Sequence, residues 1–132
     1  MVTQSEAEGR PRILVVDDDE GIRENIAELL DAEDYRVISA ANADEALRIL
    51  KSQKFDLLLT DFQMPGPNGV ELIESARKSS DRLPAILMTA YLHVYEQLAP
   101  DRRSGITLLR KPFDADDVLR VVAEGLVDRT KR

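Results

Sequence analysis

Residues 55–69 read FDLLLTDFQMPGPNG, and this stretch decides the fold. Its first part, Phe55–Thr60, is a short continuous apolar run, which predicts a β-strand covered on both faces. A carboxylate, Asp61, follows at once. The breakers in Met64-Pro65-Gly66-Pro67-Asn68-Gly69 then predict a loop. A strand hidden on both faces needs helices above and below it, and the flanking sequence supplies them. Upstream, Arg12–Asp17 (RILVVD) is a second such strand, rich in β-branched residues. Asp19 or Glu20 opens a helix after it, since acids favour the positive end of the helix dipole. Ile22, Ile26, Leu29 and Leu30 form that helix's apolar stripe. Tyr35–Ser39 (YRVIS) predicts another strand, and Asn42 an N-cap for a helix carrying Ala46, Leu47 and Leu50.

Downstream, Val70, Ile73 and Ala76 give a helix its stripe, Pro84 introduces a strand at Ala85–Met88, and Ile106–Arg110 is a fifth strand. Val118, Val121, Val122 and Leu126 mark a closing helix. Between the last two strands, Pro100 forbids a long regular helix in Leu92–Ser104. Strands alternating with helices imply an α/β fold: a single-domain, doubly wound (βα)5 three-layer sandwich around a parallel five-stranded sheet. Residues 1–11 are expected to be a disordered leader, 12–127 the domain and 128–132 a short tail.

Composition narrows the chemistry. The 132 residues are 43% hydrophobic and 33% charged, an ordinary balance for one globular domain. A formal net charge of -7 disfavours direct nucleic-acid binding, because a phosphate backbone would repel it. No apolar run is long enough to span a bilayer, and a cytoplasmic location is expected. The absence of cysteine excludes disulfides and thiolate metal sites, and His93 as the sole histidine excludes a multi-histidine one.

Polar residues collect where strands end: Asp17-Asp18, Asp61, Thr89 and Lys111. Ligands of open α/β sheets bind outside the carboxyl ends of the strands, where the strand order reverses. With an order of 2-1-3-4-5 these five side chains would converge. Two carboxylates about 4 Å apart repel by roughly 4 kcal/mol at an effective dielectric near 20, so a cation or a retained proton is required. An all-oxygen set suits Mg²⁺, with Mn²⁺ as a substitute. A divalent ion and the Lys111 ammonium together balance the three carboxylates. A carboxylate is an acceptable covalent nucleophile for phosphoryl transfer, which needs mainly positioning and charge stabilisation.

Four signatures, ILVVDDDE at 13–20, LLLTDFQMPGPNG at 57–69, MTA at 88–90 and KPF at 111–113, make the chain similar to the receiver domain of two-component response regulators over about residues 12–127. The resemblance supplies the strand order 2-1-3-4-5. It implies that Asp61 is the phosphoacceptor, Asp18 a direct Mg²⁺ ligand, Asp17 a ligand mainly through water, and the Gln63 backbone carbonyl the remaining protein ligand. Thr89 would bind a phosphoryl oxygen, Ala90 keep access open, and Lys111 pair with the phosphoryl group, with Lys111–Pro112 cis. The implied partners are a sensor histidine kinase or histidine phosphotransfer protein as donor and a downstream output protein or domain. The implied catalysis is limited to the domain's own phosphorylation and dephosphorylation. Gln63 and Tyr91 would tune the lifetime of the phosphate.

One departure stands out: Leu108 occupies a position where the family often has Tyr or Phe. With Pro100 and the polar run Asp101-Arg102-Arg103-Ser104, it predicts an altered or weakened relay through the fourth helix and the fifth strand. Simpler roles suffice elsewhere. Asp19 caps a helix, Thr60 fills a strand, His93 is solvated, Glu71 and Glu74 face water, and Met64 and Phe113 pack. Two other functions fit less well. A haloacid-dehalogenase-like phosphatase would use Asp17-Asp18-Asp19, but only Asp116 and Asp117 could supply its further acid. A receiver-like interaction module would never be phosphorylated.

Overall fold

A computed structural model of the chain describes residues 9–80, 82–91, 93, 96 and 105–130. In chain order its elements are β1 (Arg12–Val16), α1 (Glu20–Ala32), β2 (Arg36–Ala40), α2 (Ala43–Ser52), β3 (Leu57–Asp61), α3 (Gly69–Ala76), β4 (Ala85–Thr89), β5 (Ile106–Arg110) and α4 (Ala115–Thr130). The strands form one parallel sheet in the order β2-β1-β3-β4-β5. This is the doubly wound α/β architecture expected from the sequence.

The apolar runs are long because both faces of the sheet are covered. Side chains alternate across a strand, so one strand feeds two cores. Leu14, Val16, Leu58 and Leu87 pack on one face with Ala46, Leu72 and Ile73 of α2 and α3. Ile13, Val15, Leu59, Ile86 and Met88 pack on the other with Ile26 and Leu30 of α1 and Val118 and Val122 of α4. Each fully buried aliphatic side chain contributes about 1.5–3 kcal/mol relative to exposure. The central strands are therefore held more firmly than anything at the surface.

Strand ends depart from the sequence reading in an informative way. β3 starts at Leu57 and includes Asp61, and β4 includes Thr89. Phe55 and Asp56 precede the sheet: the Arg12 guanidinium lies 5.7 Å from the centre of the Phe55 ring, and the Asp56 carboxylate accepts the Arg12 N–H at 2.8 Å. At the other end, Asp61 pairs in register with Met88, and Thr89 with Arg110, so the ladder carries these residues to the rim. Gly69 was expected in a loop but opens α3. Asn68 caps that helix, its side chain accepting the Glu71 N–H while Glu71 accepts the Asn68 N–H, both at 2.9 Å. Glu71 is thus part of a cap.

The Lys111–Pro112 peptide is cis. α4 continues to Thr130, past the expected boundary at 127. Residues 1–8 of the expected leader at 1–11 lie outside the described residues, as does most of the segment 92–104, Pro100 included, where no long regular helix was expected.

Candidate metal centre at the carboxyl ends of the strands

β1 ends at Val16, so Asp17 emerges at the sheet rim and Asp18 in the turn that follows. Asp61 is the last residue of the neighbouring strand β3. Oxygens of the Asp17, Asp18 and Asp61 carboxylates all lie within 4.8 Å of one another. Asp17 and Asp61 are buried, whereas Asp18 faces solvent. Lys111 follows β5, and its Nζ is 2.7 Å from Asp61 Oδ1. Its backbone N–H donates to the Thr89 carbonyl at 2.9 Å, tying the lysine to the end of β4. Thr89 is buried, and its Oγ1 accepts the Tyr91 N–H at 2.9 Å, which leaves the hydroxyl proton for another acceptor. Gln63 lines an open depression of about 430 Å³ shared with Asp18, Phe62 and Asn68. The structure therefore brings together the three acids and the lysine, with Thr89 on the adjoining strand end and Gln63 on the rim beside Asp18.

The electrostatics favour a cation. Burial pushes the Asp17 carboxyl above the usual carboxylate range, and repulsion from Asp61 and Asp18 adds to this. The Asp19 N–H and Lys111 oppose the shift. Asp61 is also raised, by burial first and by Asp18 in addition, against the opposing hydrogen bond and charge of Lys111. Asp17 Oδ1 accepts the Asp19 N–H at 2.9 Å, but its Oδ2 is buried with no hydrogen-bond partner among the described residues. An orphaned buried acceptor costs about 1–3 kcal/mol, so this oxygen fits a group that arrives from outside. The donor set is carboxylate oxygen throughout, as a hard divalent cation such as Mg²⁺ prefers.

Two residues that position these acids were not foreseen. A Cβ on Gly69 would run into the Asp61 carbonyl oxygen and come within 3.0 Å of Phe62 Cα, so only glycine lets α3 begin this close to the end of β3. The Asn-x-x-Glu spacing at 68–71 could have located that helix start. Arg23, in α1, donates from Nη1 to the Asp17 carbonyl at 2.8 Å. No sequence pattern marks this contact.

An acidic cluster beside a lysine, at the point where a doubly wound sheet reverses its strand order, places the chain in the flavodoxin-like class of α/β domains. Within that class, the chain belongs to the response regulator receiver domain family, whose model matches residues 13–123. It is 33% identical over 115 residues to sporulation initiation phosphotransferase F of Bacillus subtilis, covering 87% of this chain and 93% of that protein. It is 36% identical over 120 residues to response regulator MprA of Mycobacterium ulcerans, covering 91% of this chain and 51% of that protein. Other relatives are longer still, and the chain spans only 26% of one transcriptional regulatory protein. The crystal structure of response regulator TrrA from Thermotoga maritima, in complex with Mg²⁺-BeF, superposes with a TM-score of 0.78 at 36% identity, covering 88% of this chain and 99% of that one.

The chain is thus a receiver domain of two-component response regulators, a signalling domain. No helix among the described residues is long and apolar enough to cross a membrane. The two further acids open to the phosphatase alternative, Asp116 and Asp117, lie in the first turn of α4 rather than at a strand end. Asp117 Oδ2 accepts the Asp114 N–H at 3.0 Å, and its Oδ1 is 3.6 Å from an Arg120 guanidinium nitrogen.

Proposed function

We propose that Asp61 accepts a phosphoryl group from a phosphohistidine, with Mg²⁺ held by Asp17, Asp18, Asp61 and the backbone carbonyl of Gln63. The observation that carries this reading is the convergence of three carboxylates within 4.8 Å, with Lys111 Nζ 2.7 Å from Asp61 Oδ1. When bound, Mg²⁺ supplies charge neutralisation for the acids and the transferring phosphoryl oxygens. An Asp61 carboxylate oxygen attacks the donor phosphorus. The new O–P bond forms as the N–P bond breaks, and the electron pair returns to the donor's imidazole. Lys111 follows the charge from the carboxylate to a phosphoryl oxygen, and the Thr89 hydroxyl donates to another. Hydrolysis of the acyl phosphate by water regenerates Asp61.

On this reading the protein acts in the cytoplasm between a sensor histidine kinase or histidine phosphotransfer protein and a downstream output protein or domain. The Mg²⁺-BeF complex of TrrA and the name of the Bacillus subtilis phosphotransferase support it. Incubation with acetyl phosphate and Mg²⁺, read by intact mass, tests it. The wild type is expected to gain one phosphoryl group and Asp61→Asn none. An unlabelled wild type, or equal labelling of both, overturns it.

A further inference from the structure

The turn between β1 and α1 is held by a closed set of hydrogen bonds. The Asp19 N–H donates to Asp17 Oδ1 at 2.9 Å, and Asp19 Oδ1 accepts the Ile22 N–H at 3.0 Å. The Arg23 N–H donates to the Asp19 carbonyl at 3.0 Å. The Arg23 side chain then reaches back and donates from Nη1 to the Asp17 carbonyl at 2.8 Å. That carbonyl belongs to the peptide between Asp17 and Asp18. Fixing its oxygen fixes the rotation of the peptide plane, and with it the direction in which the Asp18 side chain leaves the backbone. Asp18 is the one exposed member of the acidic trio, with no strand around it to hold it in place.

We infer that Arg23 is a positioning residue for the divalent-cation site: it presets the Asp17–Asp18 peptide so that both carboxylates face Asp61 before any ion arrives. This rests on the metal-dependent reading above. Charge alone cannot be the purpose. A guanidinium beside the trio repels an incoming cation, and Arg23 spends its hydrogen bond on a carbonyl rather than on a carboxylate the metal would need. Its benefit lies in order, because preorganisation lowers the entropy lost on binding. Half-buried against the turn, Arg23 holds this position from the first turns of α1, an element anchored to the core through Ile26 and Leu30.

Three variants separate the possibilities. Arg23→Ala removes both the hydrogen bond and the charge. Arg23→Lys keeps the charge and one donor, and Arg23→Gln keeps a donor without charge. Mg²⁺ affinity is measured by calorimetry on the whole chain, together with amide hydrogen exchange of Asp19 and Ile22 in chelator. The expected result is a roughly 3- to 20-fold weaker Mg²⁺ affinity for Arg23→Ala, faster exchange at both amides, and substantial recovery of both with Arg23→Lys. That range corresponds to losing about one hydrogen bond. Phosphorylation of Arg23→Ala by acetyl phosphate should return to the wild-type rate at saturating Mg²⁺. Tighter binding by Arg23→Ala and Arg23→Gln would show that only charge matters. Unchanged binding by Arg23→Ala would show that the contact does nothing for the site. Either result overturns the inference. A wild type that binds no Mg²⁺ overturns the metal-dependent reading itself, and the two failures are therefore distinguishable.

Discussion

Gly69→Ala is the sharpest test of how α3 is docked against the site. The glycine's φ is not in the left-handed region, so alanine suits the backbone, and a helix start would ordinarily gain from the change. Replacing glycine by alanine reduces unfolded-chain entropy and favours helix, together worth up to about 1 kcal/mol. Opposing this is a collision. The new methyl would overlap the Asp61 carbonyl oxygen and sit 2.8 Å from Leu87 Cδ1 and 3.0 Å from Phe62 Cα. Leu87 can rotate, but the two backbone atoms belong to or directly follow a fully buried strand. Overpacking of this kind costs about 1–3 kcal/mol, and a rigid backbone neighbour places it at the upper end. The net expectation is about 1–2 kcal/mol of destabilisation. That is a fall in Tm of roughly 3–10 °C for a domain of this size.

Calorimetry in chelator measures that loss, and Mg²⁺ titration of the same sample reports on Asp61. A site of this kind tolerates displacements of only about 0.5 Å, so affinity should fall as well. Gly66→Ala is the control. Gly66 has φ 78° and nothing within 4 Å of its would-be Cβ, so its cost is backbone strain of about 1–2 kcal/mol with metal affinity retained. A Gly69→Ala protein as stable as the wild type, or one whose Mg²⁺ affinity is unchanged, would refute the steric argument.

Asp17 carries a pH signature. Burial raises its folded-state pKa above the ordinary carboxylate value, so its stabilising contribution is complete below that ordinary value and is lost as pH rises through the folded pKa. In chelator, Asp17→Asn should gain stability relative to wild type as pH climbs from 4 to 8, and added Mg²⁺ should reverse the order; parallel urea curves at each pH would contradict this. Lys111→Met leaves Asp61 buried without its ammonium partner, which should cost about 1.5–3 kcal/mol at pH 7 and less in acid, where Asp61 is protonated. Urea denaturation at the two pH values decides it. Leu108, half-buried on β5 and paired with Leu87, offers no ring to swing inward. Beryllofluoride with Mg²⁺ should therefore shift β5 amides less than those around Asp61, and equal shifts would rule that out.

Much of this molecule was readable from residue order alone, for a physical reason. β1, β3 and β4 are covered on both faces, so their sequences are almost purely apolar, and the polar residue after each run stands out as rim chemistry. Strand order was not readable in that way, because periodicity says which face a residue occupies and nothing about which strand lies beside it. The order came from the family resemblance. Asp61 and Thr89 were expected just beyond their strands, yet they lie within them, because register with Met88 and Arg110 extends the ladder where propensity would end it. Arg23 and Gly69 escaped notice for a different reason. An arginine on a helix reads as solvent-facing and a glycine after asparagine as a turn, and only the assembled structure shows what each one touches.

The placement of Asp61 determines where a chemical change at that residue can be felt. β3 is hydrogen-bonded on both edges, by β1 and β4, and every one of its residues is buried. A bulky new group at its tip therefore meets a mounting with almost no give. β5, by contrast, ends the sheet, has a single neighbouring strand and leaves Arg110 in water. Lys111 bridges the two regions, touching Asp61 while rooted at the end of β5. The Lys111–Asp61 ion pair is thus a direct link from that rigid tip to an edge strand of the sheet.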